Sequence, residues 1–95
     1  MFVVTVTFGI HAEHAAAFLA AVQENARLSL EQEPECHRFD VAVGEGGPEI
    51  VFLYELYTDR AAFDEHLASA HFKAFDAKVA DWVASKDVQT FTLTG

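Results

Sequence analysis

The chain has 95 residues, enough for one domain, and a domain of this size buries only about two-thirds of the surface its unfolded chain exposes. Fifteen acidic residues against six basic ones give a formal charge of −9, which repels nucleic acid and anionic lipid and argues against either as a partner. The composition is nevertheless 52% hydrophobic and 13% aromatic, more apolar side chain than one small core uses; with no run near the ~18 apolar residues of a membrane span, the excess predicts a subunit interface, most simply a homodimer.

Cys36 is the only cysteine, so no internal disulfide can form, and the sequence opens on strand-like residues rather than on the basic and apolar regions of a secretion signal. Cytoplasmic residence is the resulting expectation, with one domain over residues 1–95.

Phe2 to Phe8 consists of β-branched and aromatic residues on both parities, which predicts a strand with neither face polar, ended by Gly9. From about His11 to Gln32 the apolar residues Phe18, Leu19, Val22, Ala26 and Leu30 recur at helical spacing, and Pro34 stops the helix. Cys36 to Val43 alternates like a half-buried strand. A Gly-rich link then makes Ile50–Tyr57 its hairpin partner. Asp59 is suited to cap a second helix over Arg60–Ala68. After an interruption at Ser69 and Ala70, Phe72, Phe75, Val79, Trp82 and Val83 predict a third helix from His71 to about Ser85, and Val88–Leu93 reads as the last strand.

The order β-α-β-β-α-α-β is the split β-α-β arrangement of a ferredoxin-like α+β domain with a four-stranded antiparallel sheet. All helices fall on one face of such a sheet. The first and third strands are apolar on both parities, so the other face calls for a second subunit, and a ligand space is expected between each sheet and its own helices.

Polar groups cluster where that space would lie. The inward stripe of the first helix runs Phe18, Val22, Asn25 or Ala26, Ser29 and Glu33, changing from apolar to polar. It is either a solvated helix edge or the lining of a cavity. Glu55 shares its parity with Val51, Leu53 and Tyr57, so a carboxylate there needs a partner. Arg27, Arg38 or Arg60 could pair with it; alternatively it acts as a base or orients a histidine. His66 borders the sheet-facing side of the second helix, and His71 starts the third, where the helix dipole favours neutral imidazole. Either histidine could be a core or capping residue, or an acid-base group. His11 with His14 and His66 with His71 form pairs, but neither has the spacing of a recognised metal motif, and no metal is expected. Cys36 reads as a small buried residue.

Asn25 with Ser29, Glu33-Pro34-Glu35-Cys36 running into Phe39-Asp40-Val41, Tyr54-Glu55-Leu56-Tyr57-Thr58-Asp59, Ala62, His66 and His71-Phe72 together resemble the antibiotic biosynthesis monooxygenase domain family. The resemblance extends from Phe2 to Leu93 and is most specific between Tyr54 and Phe72. It implies a dimeric α+β barrel. It also implies a small cytoplasmic quinol-type monooxygenase that uses dioxygen without metal, flavin or haem, with close relatives that isomerise phosphorylated autoinducer-2 derivatives. Matching positions place Asn25, Ser29, Glu55, His66 and His71 around the pocket, with Tyr57 and Phe72 shaping it.

Glu35 departs from the glycine usual in the family, at the turn between helix and strand. The haem-degrading branch uses a strand asparagine, a tryptophan and a helical histidine; here the first strand carries threonines and Trp82 falls late, which argues against haem. The expected chemistry is therefore oxidation of a small phenol or quinol, with His66 or His71 as base, Glu55 orienting it, and Asn25 and Ser29 holding oxygens. A proton-shuttling isomerase of a phosphorylated keto compound and a non-catalytic small-molecule-binding dimer are the alternatives.

Overall fold

In the computed structural model, which describes Met1–Gly95, strand parity and helical period fix most of the elements. β1 (Phe2–Ile10) leads through a 3-10 turn at Ala12–His14 into α1 (Ala15–Gln32). β2 (Cys36–Gly44) and β3 (Gly47–Tyr57) form a hairpin, α2 (Arg60–Ala68) and α3 (Ala70–Val79) follow, and a second 3-10 turn at Ala80–Trp82 leads into β4 (Val83–Thr92). The sheet order is β2-β3-β1-β4, with every pairing antiparallel. This is the ferredoxin-like α+β arrangement. No helix is long and apolar enough to cross a membrane.

Local chemistry explains the boundaries. The Asp59 carboxylate accepts the Ala62 N–H at 2.9 Å and caps α2. Ser69 separates α2 from α3 because its hydroxyl both donates to the His66 carbonyl at 2.7 Å and accepts the Phe72 N–H at 3.2 Å, closing one helix and capping the next. Gly47 takes a φ of 149° in the β2–β3 turn, a conformation that favours glycine.

Several boundaries differ from the sequence reading. Gly9 does not end β1; it lies inside the strand at a register shift, where a Cβ would come within 2.5 Å of the Ser85 Oγ. The first helix begins at Ala15 rather than His11, whose N–H is instead bonded to the Trp82 carbonyl at 3.0 Å. The third helix ends at Val79, and β4 begins five residues before the expected Val88. The apolar period runs on to Trp82 because the 3-10 turn stacks that indole on His14, with ring centroids 5.5 Å apart. The polar start of β4 goes unrecognised because it is an edge strand, held by its ladder to β1 while its side chains stay exposed.

The core lies between the sheet and the helices, where Val4, Val6, Phe8, Val51 and Leu53 meet Phe18, Val22 and Phe75. Leu30 is on the solvent side of α1. The opposite sheet face carries exposed Ile50, Phe52 and Phe91. β4 projects past the helices, so Lys86 and Val88, in register with Phe8 and Val6, form an open rim above the interior.

Candidate functional site

Asn25, Ser29 and Glu33 are spaced four apart, so α1 brings Asn25 and Ser29 down one face to Glu33, the first residue beyond the helix. Across from them stand His66 of α2 and His71 in the first turn of α3. The His66 Nδ1 lies 2.8 Å from the Glu33 Oε2, and the His71 Nε2 lies 2.5 Å from the same oxygen. All three side chains are nearly removed from water. A carboxylate can only accept, so each imidazole donates, and the bond fixes the His66 proton on Nδ1. The Nε2 of His66 makes no hydrogen bond within the protein and keeps its lone pair.

The rings of Phe39, Tyr57, Phe63 and Phe72 pack around His66, the nearest centroid at 5.1 Å. Burial among them pushes the imidazole pKa below its ordinary value, and hydrogen bonding and charge from Glu33 pull in the other direction. Burial prevails, so the neutral ring predominates at neutral pH.

A second polar pair sits on β3, where the Tyr57 hydroxyl donates to the Glu55 Oε1 at 2.5 Å. Burial raises the Glu55 carboxyl to about 7, against the opposing effect of the Tyr57 hydrogen bond. Burial and the neighbouring carboxylate also push the Tyr57 phenol far up, so it remains protonated. None of the three arginines pairs with Glu55: Arg27 binds Glu24 and Glu31, Arg38 binds Asp40, and Arg60 lies over the Phe2 ring. Nor does Glu55 orient a histidine, because its bonded partner is Tyr57 and the carboxylate that both imidazoles reach is Glu33. Sequence reasoning placed Glu33 on the helix stripe without giving it a role. The available signal was the unbroken four-residue spacing Asn25, Ser29, Glu33, obscured by Pro34, which made Glu33 look like a solvated helix end.

A cavity of about 60 Å³ lies between sheet and helices, walled by Asn25, Glu55, His66, Phe72 and apolar core residues, with Lys86 and Val88 at its mouth. The Asn25 side-chain oxygen is buried and has no partner in the protein. The Lys86 ammonium stands 5.6 Å from the Phe8 ring centroid and 6.0 Å from that of Phe72. Of the expected site residues, Asn25, Glu55, His66 and Phe72 thus share the wall. Ser29, Tyr57 and His71 do not. Ser29 is fully buried behind Asn25, donating to the Asn25 backbone carbonyl at 2.8 Å and lying 3.5 Å from the His66 Nδ1. Tyr57 is fully buried beneath Glu55, and His71 opens on a separate groove of about 200 Å³ between α1 and α3. Cys36, across from Tyr57 on β2, has its thiol pushed up to about 12 by burial, with the Glu33 and Glu55 carboxylates adding to the rise.

The sequence profile of the antibiotic biosynthesis monooxygenase family matches residues 1–78. The chain belongs to that family. A protein from Nitrosomonas europaea, provisionally named an antibiotic biosynthesis monooxygenase, is 29% identical, with 97% of each chain covered and a TM-score of 0.92. One from Bacteroides thetaiotaomicron with the same provisional name is 25% identical over 97% of this chain and 88% of its own, with a TM-score of 0.92. The fold is also shared with a Caulobacter crescentus protein, at 20% identity over 99% of this chain and 90% of that one, with a TM-score of 0.93. No curated protein matches. Membership fits the cavity described above, an apolar chamber with a few inward polar groups.

Proposed function

We propose that this member of the antibiotic biosynthesis monooxygenase family oxidises a small phenol or quinol with dioxygen, without a cofactor, using His66 as the base. The observation that carries this reading is the bond from His66 Nδ1 to Glu33, which leaves a neutral Nε2 free beside a largely apolar cavity. Removal of the phenolic proton yields an anion that passes one electron to dioxygen. Recombination of the radical pair forms a carbon–oxygen bond. Cleavage of the resulting peroxide leaves one oxygen on the ring and releases the other as water, so a quinol becomes a hydroxyquinone with no external reductant. The Asn25 Oδ1, without a protein partner, is free to accept a hydrogen bond from a hydroxyl of the substrate, and the aromatic wall keeps water from the radical pair.

The enclosed volume is smaller than the ~150 Å³ of a cavity that takes up benzene. The substrate's reacting edge therefore enters the chamber, and the remainder lies along the rim at Lys86, Val88 and Phe72. In this reading a second subunit roofs the rim and covers the bare sheet face with its exposed Ile50, Phe52 and Phe91. Light scattering should then give twice the 10.5 kDa chain mass, and a lysine at Phe52 should lower it toward the single chain.

Lys86 at the mouth also favours a second reading, an isomerase whose substrate carries a phosphate. Oxygen uptake separates the two. With a menadiol-like quinol, aerobic protein should consume oxygen and release hydroxylated quinone, and His66→Ala should lower turnover by ~10²–10⁴-fold. Unchanged turnover in that variant would overturn the assignment of the base, and absence of oxygen consumption across a quinol panel would overturn the oxygenase reading.

A further inference from the structure

The donor atoms of Glu33, His66 and His71 all lie within 4.8 Å of one another, although sequence spacing offered no metal motif. We propose that these three residues form a binding site for a divalent metal ion of borderline softness, such as zinc or cobalt. Two imidazoles and one carboxylate are a ligand set that suits such ions. The set is assembled from three separate elements, the end of α1, the last turn of α2 and the start of α3, which explains its absence from any local motif.

The geometry is close to that of a chelate. With metal–ligand bonds of about 2.0–2.2 Å, donor atoms around one ion stand roughly 3.0–3.4 Å apart. Here the Glu33 Oε2 lies 2.8 Å from one nitrogen and 2.5 Å from the other. To admit an ion the carboxylate has to withdraw by less than about 1 Å from each ring, and the two imidazole nitrogens, within 4.8 Å of one another, have to close toward it. Glu33 lies just beyond the last turn of α1 on extended backbone, where its side chain can make that movement without disturbing the helix. His71 lines the open groove between α1 and α3, which supplies a path from solvent, and a chain of charge −9 attracts cations.

Binding exchanges two hydrogen bonds for three coordinate bonds. The His66 proton leaves Nδ1 for Nε2, and the His71 proton leaves Nε2 for Nδ1, both through solvent, so ligation needs no net proton release from the imidazoles. One consequence rests on the proposed function: the Nε2 assigned as base becomes protonated, so the metal-loaded protein loses turnover.

The test is titration of the full chain, first stripped with a chelator, with Co²⁺ and then Zn²⁺, followed by calorimetry and by visible absorption of the cobalt. One ion per chain should bind, with the intense visible band of four-coordinate cobalt displaced by zinc. Glu33→Gln and His71→Gln should each weaken binding by more than ~100-fold, beyond what loss of a supporting group around a metal costs. A variant with His11, His14 and His37 all changed to Gln should bind as the parent does. Circular dichroism confirms that each variant is folded; should Glu33→Gln unfold, His71→Gln decides. Absence of stoichiometric binding, binding that survives in folded His71→Gln, loss of binding in the triple variant, or a thiolate-to-cobalt band from Cys36 would each overturn the site. These readouts do not depend on turnover, so failure of the oxygenase reading, seen as no oxygen uptake by the metal-free protein, is distinguishable from failure of the metal site.

Discussion

Glu33 and Glu55 are both carboxylates largely withdrawn from water, yet they are held differently. Glu33 stands at a helix end and accepts two imidazole N–H bonds on one oxygen, whereas Glu55 stands in mid-strand with a single phenolic donor. The first arrangement supplies enough donors to keep an acceptor in place and to set the tautomer of its neighbours. The second leaves burial dominant, so the carboxyl rises to about 7.

The largest expected effect comes from removing the better-held carboxylate. Glu33→Ala leaves two nearly buried imidazole donors without an acceptor, and at 1–3 kcal/mol for each unsatisfied group the variant should lose about 2–6 kcal/mol of stability. Glu33→Gln keeps a carbonyl acceptor and should lose roughly half as much, on the same accounting. Denaturant melts of the three proteins measure the difference. Equal losses for Ala and Gln would show that charge rather than acceptor capacity holds the pair of histidines.

The contrast also separates what was legible in the sequence from what was not. Glu55 was conspicuous because a lone acid interrupted a period-two apolar pattern. The same reasoning anticipated Asp59 as a cap, the half-buried β2 and its hairpin with β3, all of which depend on neighbours close in sequence. Glu33 was not conspicuous, since an acid beside Pro34 at a helix end resembles a solvated terminus, and its two partners lie 33 and 38 residues away. Likewise Ser29, Tyr57 and His71 were assigned to the pocket by the family resemblance, with helical spacing and position in the helices as the further signal for Ser29 and His71. Placing each in front of or behind the cavity wall depends on how the helices lie on the sheet, which parity and period do not specify.

An intermediate effect should appear as a pH dependence that distinguishes Glu55. Its folded pKa lies above the ordinary 4.5, so the folded state holds the proton more tightly than the unfolded chain does. The stabilisation is complete below about pH 4.5 and is lost as pH rises toward and through 7. For a carboxyl this deeply buried the total is on the order of 3 kcal/mol. Glu55→Gln retains an acceptor for the Tyr57 hydroxyl but cannot ionise. It should therefore match the parent near pH 4.5 and exceed it in stability at pH 8, as measured by urea midpoints across that range. Parallel pH profiles for the two proteins would place the titration elsewhere.

The smallest effect is the most discriminating. Tyr57→Phe removes the one hydrogen bond that Glu55 accepts while leaving the ring and its contacts with Phe63 and His66 in place. The loss should be about 1–2 kcal/mol, the usual result of leaving one buried polar group unpartnered. Its pH dependence should move as well, because the Tyr57 bond is the principal influence drawing the Glu55 pKa down, with Lys86 a lesser one. Without it, the carboxyl should stay protonated to higher pH, and the decline in stability should shift upward with it. Glu33 shares no hydrogen bond with Tyr57, so Zn²⁺ binding at the histidines should be unaffected by Tyr57→Phe. A shifted stability profile with unchanged metal affinity would show that the two carboxylates, though in one interior, are energetically separate; a change in both would make them one network.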